Sequence, residues 1–439
     1  MEWWLALLFA FGSLLVLLFA GMPIAFSFML VNMVGVYLLW GGASSGLNQL
    51  ILSIQTSIAT FTLVPVPMFI LMGEVMFHSG VGFQMMDALD KWLGRIPGRL
   101  GLLAVSGGTL FASLTGSAMG SVAMLGSVLA PEMEKRGYKK QMSLGPILGS
   151  GGLAIMIPPS ALGAVLATLG EFSVGKLLVA IIIPGLLLAA AFAIYILVRC
   201  KLQPDIAPPY ETPPLPLREK VMALVKYVLP LFSIVFLVIG LMLLGVASPT
   251  EAAALGALGC FLVAALYRKL SWEVARKAVS AALSITVMIF MIIAGSTAFS
   301  QILAFSGASQ VLTQLTVSLP VAPIIILIMM QILLLVLGMF IEQVSIMMIT
   351  IPIFMPIVRS LGWDPVWFGA IFLLNMEIAA ITPPFGVSLF VMKAVGPPGT
   401  TMADIYQASF PFVLLNLLVM TLMMIYPPFS LWLPSMMRG

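Results

Sequence analysis

The sequence predicts an all-α polytopic membrane protein of about ten transmembrane helices plus two re-entrant hairpins, arranged as two inverted repeats. Three observations predict it. The first is composition: 61% of the 439 residues are hydrophobic and only 8% are charged, whereas charged residues make up about a quarter of a soluble domain. Apolar runs of about 20 residues cross a bilayer as helices, and the alternating short strands of a membrane barrel are missing. The second is self-similarity. Shifted by 225 residues, Pro131 falls on Pro356, Gly137 on Gly362, and the pair Pro158 and Pro159 on Pro383 and Pro384. A fixed offset of this kind is the mark of an internal structural repeat. The third is charge. With the N-terminus outside, 17 of the 20 Lys and Arg fall in cytoplasmic segments, and only Lys176, Arg359 and Arg438 lie outside. This positive-inside bias makes the first hairpin enter from the cytoplasm and the second from the outside, so the two units are inverted.

Taken in order, the first span is about Trp3 to Ala20 and the second about Ile24 to Trp40, joined by a Gly21-Met22-Pro23 corner. The opening MEWWLALLFAFG lacks a basic leader and a small-residue cleavage site, and reads as a retained span. A Gly/Ser loop over 41–46 and a third span, about Ile54 to Phe77, follow. Residues 82–99 place Met85, Leu89 and Trp92 opposite Asp87, Lys91 and Arg95, the pattern of a helix lying along the interface. The stretch 100–130 is apolar but interrupted by Gly107, Gly108, Gly116 and Gly120. A re-entrant hairpin with its tip at 115–121 fits it better than a span, because irregular backbone survives at membrane depth only where protein or water covers it. The run 143–169 is broken at Pro158-Pro159; two missing N–H donors there release carbonyls near residues 154 and 155.

A span of about Leu177 to Val198 closes the first unit. The proline-rich stretch from Lys201 to Arg218 then reads as a semi-rigid linker. Spans follow at about Tyr227 to Val246 and Thr250 to Tyr267, the latter opened by Ser248-Pro249-Thr250-Glu251, a good helix start. The second unit repeats the order: a span of about Ala281 to Leu303, an uncharged arm near 306–318, a hairpin over 322–356 with its tip at 338–345, a broken span over 365–391, and a last span of about Ile405 to Tyr426.

The chemistry-bearing residues argue against catalysis. There is one histidine, His78, with no metal-binding motif, nucleophile elbow or phosphate loop, and Cys200 and Cys260 carry no spacing motif. The repeated tips and breaks suit transport instead. They bring released carbonyls and hydroxyls to the membrane midplane, where a hard cation such as sodium can exchange its water for oxygen ligands. The first expected sodium constellation is Thr115 and Ser117 against Ala154, Ile157 and Pro159; the second is Phe340 and Glu342 against Ala379, Thr382 and Pro384. Helix N-termini at the same tips can hold a carboxylate. Gly116, Ser121, Pro158, Ser160, Gln343, Ser345, Asn375 and Pro383 are the candidate substrate residues. Glu74, Glu342 and Glu377 are intramembrane acids, a type that is paired or functional. A passive channel or a carrier working alone would use the same helices.

The segments GSAMGSVAMLGSVLAPEMEKRGYKK, GGLAIMIPPS, SPTEAAA, GMFIEQVSIMMITIPIFMPI and NMEIAAITPPFGVSLFVMKA resemble the large membrane subunit, DctM type, of tripartite ATP-independent periplasmic (TRAP) transporters. The resemblance covers nearly the whole chain. It implies a sodium-coupled importer of the ion transporter superfamily in the bacterial inner membrane, with no cofactor beyond the coupling ion. It also implies an elevator motion, a small four-helix DctQ-type membrane subunit, a periplasmic substrate-binding protein, and an organic acid as substrate. On that reading, 1–53 are N-terminal scaffold helices, 54–99 a scaffold span and cytoplasmic arm, and 100–199 the first transport unit. The linker is 200–226, 227–320 return to the scaffold with a periplasmic arm, 321–427 form the second transport unit, and 428–439 are the tail.

Overall fold

The computed structural model describes residues 2–39, 42–94, 96–115, 118–209 and 215–437, with all their side chains except those of 39, 42–44 and 112–115. Every regular element described is helical. Helix α1 (Trp3–Phe19) contains a π-turn at Leu8–Gly12, and Gly21 makes the corner into α2 (Ile24–Leu39) with φ 81°. Next comes a departure from the sequence reading. The expected loop and the start of the third span together form a separate helix, α3 (Gly42–Ile58). Its Asn48, Gln49, Gln55 and Thr56 are exposed while Leu50 is buried, so one face is too polar for lipid. Leu50 and Ile54 pack on Ala298 and Ile302 instead. The third span therefore begins at Phe61, not Ile54, and runs through α4 (Pro65–Ser79).

The arm is α5 (Val81–Leu93), entered through Gly80 at φ 68°. Its Met85 and Ala88 are buried, and Trp92 Nε1 donates to Lys220 O at 3.0 Å. Arg99, nearly buried, fixes the start of the first hairpin, donating to Asp90 Oδ1 at 2.8 Å, to Asp90 Oδ2 at 2.6 Å and to Gly94 O at 3.1 Å. The hairpin limbs are α6 (Arg99–Thr115) and α7 (Ala118–Lys135). The broken span is α8 (Lys140–Met156) and α9 (Ala161–Leu169), bent by 46°. Then come α10 (Val174–Leu202), α11 (Leu217–Leu243), α12 (Pro249–Leu266) and the long α13 (Trp272–Phe305). The second arm is α14 (Ala308–Val317), entered through Gly307 at φ 74°. The second hairpin is α15 (Pro323–Gly338) with α16 (Gln343–Ser360), the second broken span α17 (Pro365–Ala380) with α18 (Val387–Val395), and the last span α19 (Met402–Ile425).

The offset of 225 recurs in these bounds. Moved by 225, Ala118–Lys135 coincides at both ends with Gln343–Ser360. Gly137 and Gly362 both end their helix in the left-handed region, at φ 79° and 70°, and both Pro-Pro bonds are cis. Seven described helices are long and apolar enough to cross a bilayer, or eight when the bent pair counts as one. The expected ten include α1, α2 and α17, which are apolar but shorter than a full span.

The half-helices α8 and α17 form the centre. Every residue from Met142 to Met156 and from Val366 to Ala380 is buried. Apart from Asn375 and Glu377 on α17, these buried stretches are apolar or small all round, which suits burial on every side. Lipid competes well with apolar side chains, so close backbone approach is what holds such helices together. Gly149 shows this: a Cβ there would sit 2.3 Å from the ring of Phe412 on α19. Gly152 likewise gives room to Glu377 of α17. On the other side, α4 packs against α12 and α13, and Asn32 Nδ2 on α2 donates to Gly295 O on α13 at 2.6 Å. The linker is not wholly extended. It starts with a 3₁₀ turn, Pro204–Ile206, whose Ile206 carbonyl accepts from Lys139 N at 2.9 Å, and Ile206 and Ala207 are buried. Cys200 and Cys260 are free thiols in the core.

Candidate functional site

Four helices begin at one cavity of about 180 Å³: Ala118, Ala161, Gln343 and Val387, the first residues of α7, α9, α16 and α18, all line it. Two belong to hairpin tips and two to crossovers, one of each from either repeat. The opposite wall comes from α4 (Ile70, Glu74) and α13 (Ile285, Met288, Ile289). Helix N-termini present unpaired N–H groups and a positive dipole end, so the cavity has an electropositive side facing a mostly apolar one.

At the second tip, Glu342 caps α16, accepting from Val344 N at 3.0 Å and Ser345 N at 3.2 Å. Gln343 Nε2 donates to Met376 O at 3.0 Å, tying the tip to α17. Gly338 presses on the same helix; a Cβ there would lie 2.2 Å from Ala379 Cβ. The Phe340 ring is exposed and lies against Phe385, centroids 5.6 Å apart and tilted by 47°, so only its main chain is suited to hold an ion. The carbonyls of Met339, Phe340 and Ile341 accept no main-chain hydrogen bond from a described residue.

Behind the tips lie the breaks. Pro158 and Pro159 have no N–H to offer Ala154 and Ile155, whose carbonyls are released, as the proline argument requires. Pro383 and Pro384 stand in the same relation to Ala379 and Ala380. There Thr382 N closes back onto Ala379 O at 3.3 Å, leaving Ala380 O open. The Thr382 hydroxyl donates to Ile378 O at 2.6 Å, Gly386 N donates to Thr382 O at 3.1 Å, and Tyr406 Oη donates to Pro384 O at 2.8 Å. Ser160 caps α9 by accepting from Gly163 N at 3.2 Å. Such oxygens, free or half-used, are the donor set a hard monovalent cation takes.

Of the residues singled out from sequence, Glu342 and Gln343 line the cavity directly. Ala154, Ile157, Pro158, Pro159, Ser160, Ala379, Thr382, Pro383 and Pro384 form the breaks behind it. Ser121 and Ser345 are buried within the hairpins. Asn375 is not among the lining residues, and its Nδ2 donates to Gln331 O at 2.9 Å and Gln331 Oε1 at 3.0 Å. Gly116, Ser117 and the Thr115 side chain lie outside the described residues. Sequence reasoning left Glu74 without a site and missed Ser388, Met119 and Met288, all in the cavity wall. Nothing in local sequence marks these, because they reach the cavity only when separate helices pack; Glu74 alone carried a signal, as a charge inside a span.

Residues 11–429 match the profile of the DctM component of tripartite ATP-independent periplasmic transporters. The chain belongs to that family. Among relatives of this DctM chain, the C4-dicarboxylate TRAP transporter large permease protein DctM of Pseudomonas aeruginosa is 34% identical over 85% of this chain and 86% of its own. The sialic acid large permease protein SiaM of Vibrio cholerae is 30% identical over 96% and 97%. The ectoine large permease protein TeaC of Halomonas elongata is 28% identical over 96% and 97%. In three dimensions the DctM chain shares its fold with the YdaH transporter of Alcanivorax borkumensis, at TM-score 0.69 and 15% identity over 93% of this chain and 98% of that one. It also shares it with MtrF of Neisseria gonorrhoeae, at TM-score 0.62 and 14% identity over 89% and 85%. The relatives are permeases, in keeping with the lack of a catalytic motif.

Proposed function

We propose that this chain is the large permease subunit of a sodium-coupled importer of a small organic acid in the bacterial inner membrane, with both termini on the periplasmic side. It works with a small four-helix membrane subunit and a periplasmic binding protein. The observation that carries the reading is the meeting of four helix N-termini at one cavity, backed by the released carbonyls of Ala154, Ile155 and Ala380. The N–H groups suit a carboxylate, and the carbonyls suit the ion that accompanies it. Co-entry of cations is needed because each negative charge moving inward against the potential costs about 2.3 kcal/mol per 100 mV. The hairpins and breaks move as one body against α2, α4, α11, α12 and α13. The cavity divides along that line, with Glu74 and Met288 on the static side.

Proteoliposomes holding the chain, the small subunit, a binding protein and a labelled organic acid test this. Uptake is expected only with an inward sodium gradient and all three proteins; uptake without sodium, or without the binding protein, refutes it.

A further inference from the structure

The cavity that receives the carboxylate holds no cation to neutralise it. None of the residues lining it is Lys or Arg, and the sequence from 112 to 117 contains neither. It holds two carboxyl groups instead, Glu342 and Glu74. Glu342 is spent on capping α16, so one of the four N-termini already has its anion. Glu74 stands on the opposite wall. Its Oε2 lies 3.3 Å from His78 Nδ1, and no side-chain hydrogen bond engages its Oε1 among the described residues. Ser388, 1% exposed, lines the same cavity with a hydroxyl that has no hydrogen-bond partner among the described residues and is free to serve a polar ligand atom.

We infer that the solute carries a cationic centre as well as its carboxylate: a small zwitterion, held by its carboxylate at the N-termini of α7, α9 and α18 with Ser388, and by its cationic group at Glu74. This rests on the organic-acid reading and narrows it. A dianion would bring two negative charges to a low-dielectric cavity lined by two carboxyl groups and no Lys or Arg, where like charges repel strongly. A compact body is also required, since about 180 Å³ is below the roughly 300 Å³ at which drug-sized pockets begin.

The test is equilibrium binding of labelled ectoine, glycine betaine, pyruvate and succinate to the purified full-length chain in nanodiscs with sodium chloride. One or both zwitterions are expected to bind at least about tenfold more tightly than succinate, roughly 1.4 kcal/mol. Glu74→Gln, which keeps the size and removes the charge, is expected to weaken the zwitterions about tenfold and leave pyruvate unchanged. Tighter binding of succinate or pyruvate than of either zwitterion overturns the inference, as does a Glu74→Gln loss equal for all ligands. Binding of none of the four sinks the organic-acid reading itself, a result distinct from a reversed preference.

Discussion

Gly152→Ala is the sharpest probe of how the two repeats fit together. A Cβ at 152 would lie 2.5 Å from Glu377 Cγ, 2.9 Å from its Oε1 and 3.0 Å from its Cδ, against the 3.5–4.0 Å of a comfortable carbon contact. The shortfall at Cγ is about 1 Å. Glu377 is fully buried on a helix buried on all sides, so it cannot swing clear, and overpacking of this kind costs about 1–3 kcal/mol. Glu377→Ala removes every atom of the clash. Its two oxygens have no hydrogen-bond partner among the described residues, so the truncation breaks no bond described there. Unfolding free energies in mixed micelles titrated with a denaturing detergent, for both single variants and the double, give the coupling. Gly152→Ala is expected to cost at least about 1 kcal/mol in the parent and much less beside Glu377→Ala, a departure from additivity well above the roughly 0.3–0.5 kcal/mol of independent sites. An additive cycle would falsify the claim that the α8–α17 contact is set by this one approach.

Two further outcomes follow from the breaks. Pro159→Ala supplies an N–H four residues after Ile155 and lets the helix reclaim that carbonyl; half-maximal sodium for uptake should rise severalfold, while Ser117→Ala should cost less, and the reverse order would refute main-chain ion binding. Ser160→Ala deletes the cap on α9; a loss of about 1 kcal/mol of stability is expected from the missing hydrogen bond, and a variant as stable as the parent would show that the cap contributes nothing.

Much of this architecture was legible because it rests on residues that act locally. Two prolines in a row remove two helix donors together, whereas the single Pro146, Pro352, Pro356 and Pro411 are carried inside α8, α16 and α19, so Pro158-Pro159 and Pro383-Pro384 located both crossovers, and the pairing of Gly137 with Gly362 marked the repeat. The repeat spacing then carried the bounds of α7 onto those of α16. What was lost is what depends on packing. Helix α3 was hidden because Gly42 to Gly46 reads as a loop, and only contact with Ala298 and Ile302 settles it as a helix. Asn375 looked like a ligand because a polar side chain in a span needs a partner, yet that partner proved to be Gln331 on the neighbouring limb. Ser388 went unnoticed because a single serine after a proline break has no periodicity to betray it.

The linker's short docked turn has a mechanical consequence. Because Ile206 is pinned to Lys139 at the base of the first hairpin, while α11 starts at Leu217, the chain between that anchor and α11 is limited to residues 208–216. Drawn out at about 3.1 Å per residue, as proline-rich chain prefers, nine residues reach roughly 28 Å. A reach of that size spans about five helical turns, so in the proposed motion of the hairpin body against α11 the stroke is set by the packing between the two bodies and not by the length of its leash.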